Sequence, residues 1–155
     1  MTTGIPKEQL AIGTAAAFAQ AEKSFKEGGV PIGSALLVGT TVVALGHNQR
    51  VQKSSNILHG EMSCIENAGH HVDFTKAVLF STLSPCKMCA GAIVLFRIPK
   101  VVILDDENTN DFDPGQAFLV REGVDVVVHK HPPSIDLNRQ FQSKFRTIWL
   151  GDVGQ

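Results

Sequence analysis

The sequence lacks a long apolar run and an excess of charge of either sign. Its longest apolar pieces, such as AIVLF at 92–96, are core-sized and much shorter than a membrane span requires. The 14 basic and 15 acidic side chains give a net charge of −1, and no segment gathers lysine and arginine into a stripe. We therefore expect no membrane span and no affinity for nucleic acid.

Cysteine is also scarce and odd in number, with three residues in 155. Two of them lie three apart in SPCKMC at 84–89. The first residues, MTTGIPKEQL, show no basic region followed by an apolar one, so we expect no signal peptide and a cytoplasmic protein. In that setting a metal or redox role is favoured over a disulfide framework.

The length of 155 residues suits one domain, and no repeat or linker divides it. Alternating apolar patterns and turn residues predict a layered α/β/α sandwich around a mixed five-stranded sheet, with parallel strands after crossover helices. The predicted helices cover about 7–26, 60–69, 86–96 (begun by Pro85), 116–122 and 134–149. The predicted strands cover a hairpin at 30–48 that turns at Gly39-Thr40, then 77–82, 100–104 and 124–128.

Two short motifs carry the chemistry only in combination. His59 followed by Glu61 is usually a solvated helix start, and a lone CxxC fits redox pairs as well as zinc knuckles. Together, HGE at 59–61 and PCKMC at 85–89 match the HxE…PCxxC signature of zinc deaminases. Three protein ligands, His59, Cys86 and Cys89, with one open position, are typical of catalytic rather than structural zinc.

The spacing of these residues restricts their geometry. Residues two apart point to different sides of a helix, so His59 and Glu61 can share a site only if the helix aims its N-terminus at the metal. The same holds for Cys86 and Cys89, where the helix dipole favours thiolate over thiol. Two thiolates cancel the charge of the zinc ion, so its bound water is expected to be less acidic than at a three-histidine site. A nearby base is therefore needed. Glu61 is the predicted base, which passes protons to the substrate ring and the leaving amine.

Cys64 and four of the other histidines are predicted to have no role as metal ligands. Cys64 is expected to be a packed thiol, since free cysteine is among the most buried residue types. His70 and His71 are expected to end the second helix. His129 and His131 are expected in a loop.

At these motifs the chain resembles the zinc-dependent cytidine deaminase superfamily, and within it the small fungal-type free-base cytosine deaminases. The similarity runs from about residue 16 to the C-terminus. It is carried by segments that recur in the same order: KEGGVPIG at 26–33, GHNQR at 46–50, LHGE at 58–61, TLSPCKMCAGAI at 82–93, IPK at 98–100 and WLGDVG at 149–154.

This resemblance implies one Zn²⁺ per subunit on His59, Cys86 and Cys89, Glu61 as proton shuttle, and a small nucleobase as substrate. It also implies substrate contacts from Asn48, from the backbone near Gly60 and Ser84, from the walls Ile32 and Leu83, and from Asp152, Trp149 and Phe112. The loop that holds Phe112 is longer than the family pattern. Asn48 could instead stabilise a turn, Asp152 could be a solvated carboxylate, and Trp149 could be an anchor for the last helix.

The resulting hypothesis is hydrolytic deamination of cytosine to uracil and ammonia, as in pyrimidine salvage, by a single domain (1–155) whose C-terminal segment from about 143 closes over the site. Rival hypotheses are deamination of guanine, isocytosine or an aminotriazine, tRNA or single-stranded DNA editing, and a non-catalytic zinc module. The resemblance also implies a homodimer with the third helix near its interface.

Overall fold

A five-stranded sheet forms the centre of the computed structural model, which describes residues 4–109 and 114–153. The strand order across the sheet is β2-β1-β3-β4-β5. The strands are β1 (Gly33–Val38), β2 (Thr41–His47), β3 (Val78–Ser81), β4 (Lys100–Ile103) and β5 (Asp125–Val128).

Strand β1 is the reversed member of this sheet. It pairs antiparallel with β2 on one side and with β3 on the other, whereas β3, β4 and β5 pair in parallel. Gly39, at φ +61°, makes the tight turn of the β1–β2 hairpin. Since β2 and β3 are both antiparallel to β1, their C-terminal ends lie at the same edge of the sheet. The predicted mixed sheet is confirmed.

Helices cover both faces of the sheet. On one face Ala17 of the first helix packs against Leu37 and Phe80. On the other face Ile65 and Ile93, from two later helices, pack against strand residues such as Leu79. None of the helices in the described ranges combines the length and apolar character needed to cross a bilayer. The helices are α1 (Lys7–Lys26), α2 (Gly60–Ala68), α3 (Lys87–Leu95), α4 (Pro114–Arg121), α5 (Pro132–Lys144) and α6 (Arg146–Asp152), with a 3₁₀ turn at Phe74–Lys76.

Helix α3 begins later than the sequence predicts. Pro85 does not open it, because Cys86 keeps an extended conformation (φ −73°, ψ 176°) as the N-cap and the first helical residue is Lys87. Proline's fixed φ is compatible with an extended chain as well as with a first helical turn. The extra extended residue leaves Cys86 at the tip of the helix.

The C-terminal helical segment is two helices rather than one. Phe145 (φ −130°, ψ 54°) leaves the helical conformation between α5 and α6. Phe141 and Trp149, on either side of this break, both enter a third apolar cluster, where their ring centroids lie 6.4 Å apart. The break therefore turns α6 so that its aromatic residue packs against the same cluster as α5.

Candidate active site

Three ligand-type side chains meet where α2 and α3 begin. His59 is the N-cap of α2, Cys86 is the N-cap of α3, and Cys89 lies in the first turn of α3. Their ligand atoms all lie within 4.8 Å of one another, and the Cys86 Sγ is 3.5 Å from the His59 Nδ1. Both helices thus aim their N-termini at one point, as the spacing of the motifs predicts.

This donor set fits zinc. One imidazole and two thiolates are ligands that zinc takes in tetrahedral catalytic sites, where the fourth position stays open for water or substrate. The partial positive charge of two helix N-termini stabilises the thiolates that such a site needs. His59, Cys86 and Cys89 therefore form a group of side chains that could hold a zinc ion.

The three protein ligands also perturb one another's protonation. A hydrogen bond from Cys89, aided by one with His59, lowers the pKa of the Cys86 thiol to about 4. Cys89, as the donor in that pair and deeply buried, has its pKa raised well above the ordinary value. Burial alone would lower the pKa of His59, but its contact with Cys86 and the charge of Asp152 raise it to about 9. Cys86 is thus the ligand best prepared to bind a metal ion as a thiolate.

Glu61 lies buried beside these ligands, with 3% of its surface exposed. Its Oε1 is 3.1 Å from the Ser81 hydroxyl, and Cys89 also hydrogen-bonds to the carboxylate. Burial, followed by the negative charge of Cys86, raises the pKa of Glu61. A carboxylate with a raised pKa next to a metal site is suited to accept and return protons near neutral pH.

Asp152 of α6 reaches the opposite side of His59. Its Oδ1 lies 3.9 Å from the His59 Nε2, while the Nδ1 of the same ring faces Cys86. This distance is too long for a hydrogen bond, so Asp152 acts on the ring through its charge. Asp152 is buried, and this desolvation raises its pKa although His59, Asn48 and Arg50 oppose the rise.

Asn48 is held from several directions at the end of β2. Its Nδ2 donates to the Asp152 Oδ1 at 2.7 Å, and its Oδ1 accepts from the Arg50 main-chain N–H at 3.0 Å. The Arg50 Nη1 lies 3.4 Å from the same Asp152 oxygen. Asn48 therefore stabilises the turn after β2 and also hydrogen-bonds to Asp152 at the site. Its contact with a substrate stays a prediction.

The predicted apolar walls belong to one cluster. Ile32, Leu83 and Trp149 pack together with Val30 and Phe141. Trp149 is 2% exposed, so the indole is an integral part of the core at the site. The anchoring role considered for this residue is thus observed, whereas its contact with a ring remains a prediction.

Gly60 and Ser84 lie where the chain enters α2 and α3. A Cβ at Gly60 would lie 3.2 Å from the carbonyl oxygen of Ile32, so a glycine suits this close approach. The Ser84 N–H donates to the Asp105 carbonyl at 2.9 Å, which fixes the main chain ahead of Cys86. Their proposed contacts with a substrate remain predictions.

A buried polar network supports the Ser84 segment from behind. The Asp105 carboxylate accepts from Asn108 and from the Nδ2 of Asn138, which also donates to the Thr82 carbonyl at 3.1 Å. The network ties the end of β4 and helix α5 to the chain that leads into α3. Phe112, predicted to stack on the substrate, lies outside the described residues.

Cysteine and histidine residues away from the ligand set occupy the structural positions expected of them. Cys64 is buried, and burial raises the pKa of its thiol far above the ordinary range. His70 and His71 are exposed just after α2. His131 is the N-cap residue of α5, two residues after His129 in a segment without regular structure.

Sequence reasoning overlooked Ser81, Arg50, Asp105 and Asn138. Arg50 was visible in the segment GHNQR, and its contact with Asp152 spans a sequence separation of 102 residues. Ser81 is the last residue of a short buried strand, where serine has no pattern of its own. Only the pairing of distant elements reveals these contacts.

The fold and the ligand geometry define a zinc-dependent deaminase, and the comparisons with known proteins agree. Residues 7–105 match the model of the cytidine and deoxycytidylate deaminase zinc-binding region. The chain belongs to this family and is a zinc-dependent deaminase, which is a hydrolase.

Individual relatives span different shares of the chain. It is 42% identical to the cytosine deaminase of Candida albicans over 146 residues, which cover 92% of this chain and 95% of the relative. It is 40% identical to the tRNA-specific adenosine deaminase of Bacillus subtilis over 89 residues, 56% of this chain and 55% of the relative. The solved guanine deaminase of Nitrosomonas europaea has the same fold, with a TM-score of 0.70 at 15% identity over 92% of this chain and 96% of the other.

We predict that Cys86 alkylates rapidly at mildly acidic pH once a chelator has removed the metal. A thiol with a pKa of about 4 is already a thiolate at pH 6. An ordinary thiol with a pKa near 8.5 would react roughly a hundredfold more slowly at pH 6 than at pH 8. Iodoacetamide labelling followed by peptide mass spectrometry measures the rate at each cysteine.

Buried Cys64 and Cys89 provide the internal comparison. We expect Cys86 to be labelled at similar rates at pH 6 and pH 8, and readdition of zinc to protect it. A hundredfold slower reaction of Cys86 at pH 6 would contradict the described arrangement of the site.

Proposed function

We propose that this protein hydrolyses free cytosine to uracil and ammonia. The observation that carries the proposal is the fully buried Glu61 carboxylate beside a site formed by one histidine and two cysteines. The similarity to a cytosine deaminase over 92% of the chain supports the choice of ring. This similarity extends beyond the zinc-binding region at residues 7–105.

His59, Cys86 and Cys89 would hold the zinc ion, which when bound would supply a Lewis acid next to the reacting water. Glu61 accepts a proton from that water and delivers it to the ring nitrogen next to the amine-bearing carbon. The water oxygen bonds to this carbon, and Glu61 takes the second proton from that oxygen and passes it to the amine. The carbon–nitrogen bond to the amine then breaks as the oxygen becomes the new carbonyl. The products are uracil and ammonia, so all atoms of cytosine and water are accounted for.

Substrate recognition is assigned to side chains that surround this position. Asp152 uses Oδ1 for Asn48, Arg50 and His59, so we assign Oδ2 to accept from the exocyclic amine. The amide of Asn48 can donate and accept, which suits a pyrimidine oxygen and a ring N–H. The remaining assigned contacts are the walls Ile32, Leu83 and Trp149, the backbone at Gly60 and Ser84, and Phe112.

The C-terminal segment is assigned to close the site. Asp152 connects α6 to Asn48, and Trp149 joins the apolar cluster that includes Leu83. Both residues are buried, so α6 packs on the site as part of the domain. The segment from about 143 thus contributes both a polar contact and an apolar wall.

The protein is further assigned as a cytoplasmic homodimer that acts in pyrimidine salvage. Two apolar side chains on adjacent helices support dimerisation, since Leu95 of α3 is 72% exposed and Val120 of α4 is 60% exposed. Large apolar side chains with this exposure are candidates for an interaction surface. None of the three cysteines, all within the described residues, forms a disulfide, which suits a reducing compartment. Fractionation of expressing cells tests the cytoplasmic assignment.

We predict that ammonia release separates cytosine from the rival rings in one assay. Purified zinc protein is offered cytosine, isocytosine, guanine, adenine, cytidine and an aminotriazine, and ammonia is measured. Turnover is expected with cytosine at a kcat/KM well above that for the others. Turnover of another ring alone would contradict the choice of substrate, and a salt-sensitive affinity for RNA would favour the editing hypothesis.

Two variants in the same assay test the assigned roles. Glu61→Gln is expected to lower kcat by at least about a hundredfold with zinc content and melting temperature retained, because the amide cannot accept the proton. Asp152→Asn leaves Trp149 packed. Because this variant lacks the carboxylate assigned to accept from the exocyclic amine, it is expected to have a lower kcat/KM for cytosine. Wild-type activity in Glu61→Gln would contradict the proposed mechanism.

We predict a dimer by size-exclusion chromatography with light scattering. The chain mass is 16.7 kDa, and the measured mass is expected to be twice that value. Leu95→Asp is expected to shift the mass to that of one chain because it places a charge in the apolar patch. A wild-type protein with the mass of one chain at micromolar concentration would contradict the dimer.

A further inference from the structure

We infer that Ser81 is a positioning residue for the Glu61 carboxylate. The inference rests on the proposed function, because it concerns the group assigned to move protons there. Ser81 is the last residue of β3 and is fully buried. Its hydroxyl oxygen lies 3.1 Å from the Glu61 Oε1 and 2.8 Å from the Leu83 carbonyl oxygen.

The Ser81 hydroxyl connects two parts of the site. It donates its one proton either to the carboxylate on α2 or to the carbonyl of the wall residue Leu83, and its oxygen also accepts from the Leu83 N–H at 3.5 Å. A carboxylate that transfers protons must be held within a fraction of an ångström of its productive position. Ser81 thus fixes Glu61 relative to the wall against which the substrate is assigned to lie.

This contact gains importance in the zinc protein. Cys89 also hydrogen-bonds to Glu61 through its thiol. A cysteine that ligates zinc is a thiolate and has no proton to donate. The Ser81 hydroxyl keeps its single proton in that state, and the charged Glu61 carboxylate is a stronger acceptor for it than the neutral Leu83 carbonyl.

The neighbouring strand offers a matched control. Ser34 of β1 is the register partner of Ser81, and both side chains are fully buried. The Ser34 Oγ has no hydrogen-bond partner within the described residues. Ser34→Ala thus removes a buried hydroxyl at the adjacent position without touching Glu61, and activity is expected to stay unchanged.

The experiment compares Ser81→Ala, Ser81→Thr, Ser81→Val and Ser34→Ala with the wild type. Steady-state kinetics on cytosine give kcat and KM separately, and zinc content and the melting temperature of chelated protein are measured on the same samples. Ser81→Ala is expected to lower kcat about tenfold to a hundredfold with little change in KM or zinc content, since it removes a hydrogen bond to a charged group. Ser81→Thr, which keeps the hydroxyl, is expected to restore most of the activity.

Threonine and valine have nearly the same shape, so this pair isolates the hydroxyl even if Ser81→Ala packs poorly. Equal kcat in Ser81→Thr and Ser81→Val would overturn the inference, as would a loss in Ser34→Ala equal to that in Ser81→Ala. A wild-type protein that deaminates no base would instead overturn the proposed function. The two failures are therefore distinguishable.

Discussion

The convergence of two helix N-termini is the constraint on which the site depends. It follows from the reversed strand β1, which lies between β2 and β3 and gives both the same direction. The chain leaves β2 and β3 at one edge of the sheet and enters α2 and α3 from there. His59 and Cys86, as N-cap residues, then face each other across 3.5 Å. One topological feature thus assembles ligands that are separated by 27 residues along the chain.

The polar groups that meet at the same point reduce the free-energy cost of burying ionisable side chains there. Glu61 and Asp152 are both almost fully buried, and an unpaired carboxylate in such a position would be strongly destabilising. Each has polar partners, Ser81 and Cys89 for Glu61, and Asn48 with Arg50 for Asp152. Burial raises the pKa of both carboxyl groups. The groups that the proposed reaction uses are therefore held by contacts from β3, from α3 and from the loop after β2.

Much of this arrangement could be predicted from the sequence because its signals are local. The helix at Lys7–Lys26, the hairpin and the two ligand motifs each lie within a short stretch whose pattern is distinctive. Residues two apart point to different sides of a helix, so His59 and Glu61 were predicted to share a site only at a helix N-terminus. His59 is the N-cap residue of α2. The start of α3 was misplaced because proline fits an extended N-cap region as well as a first helical turn.

Contacts between distant segments could not be predicted in this way. The break at Phe145 follows from packing in the third apolar cluster, which no local pattern encodes. Ser81 and Asn138 likewise gain their roles from partners 20 or more residues away. For Trp149 the sequence left open whether the indole covers a substrate or anchors the last helix, and the fold shows the buried anchoring.

His59, Cys86 and Cys89 are proposed to hold one zinc ion together and to leave one coordination position open. X-ray absorption spectroscopy at the zinc edge of the purified protein tests it most directly. We expect the zinc ion to have two sulfur neighbours at about 2.3 Å and two nitrogen or oxygen neighbours at about 2.0–2.1 Å, one from histidine and one from solvent. A shell of three or four sulfur atoms, or one of nitrogen and oxygen alone, would contradict it.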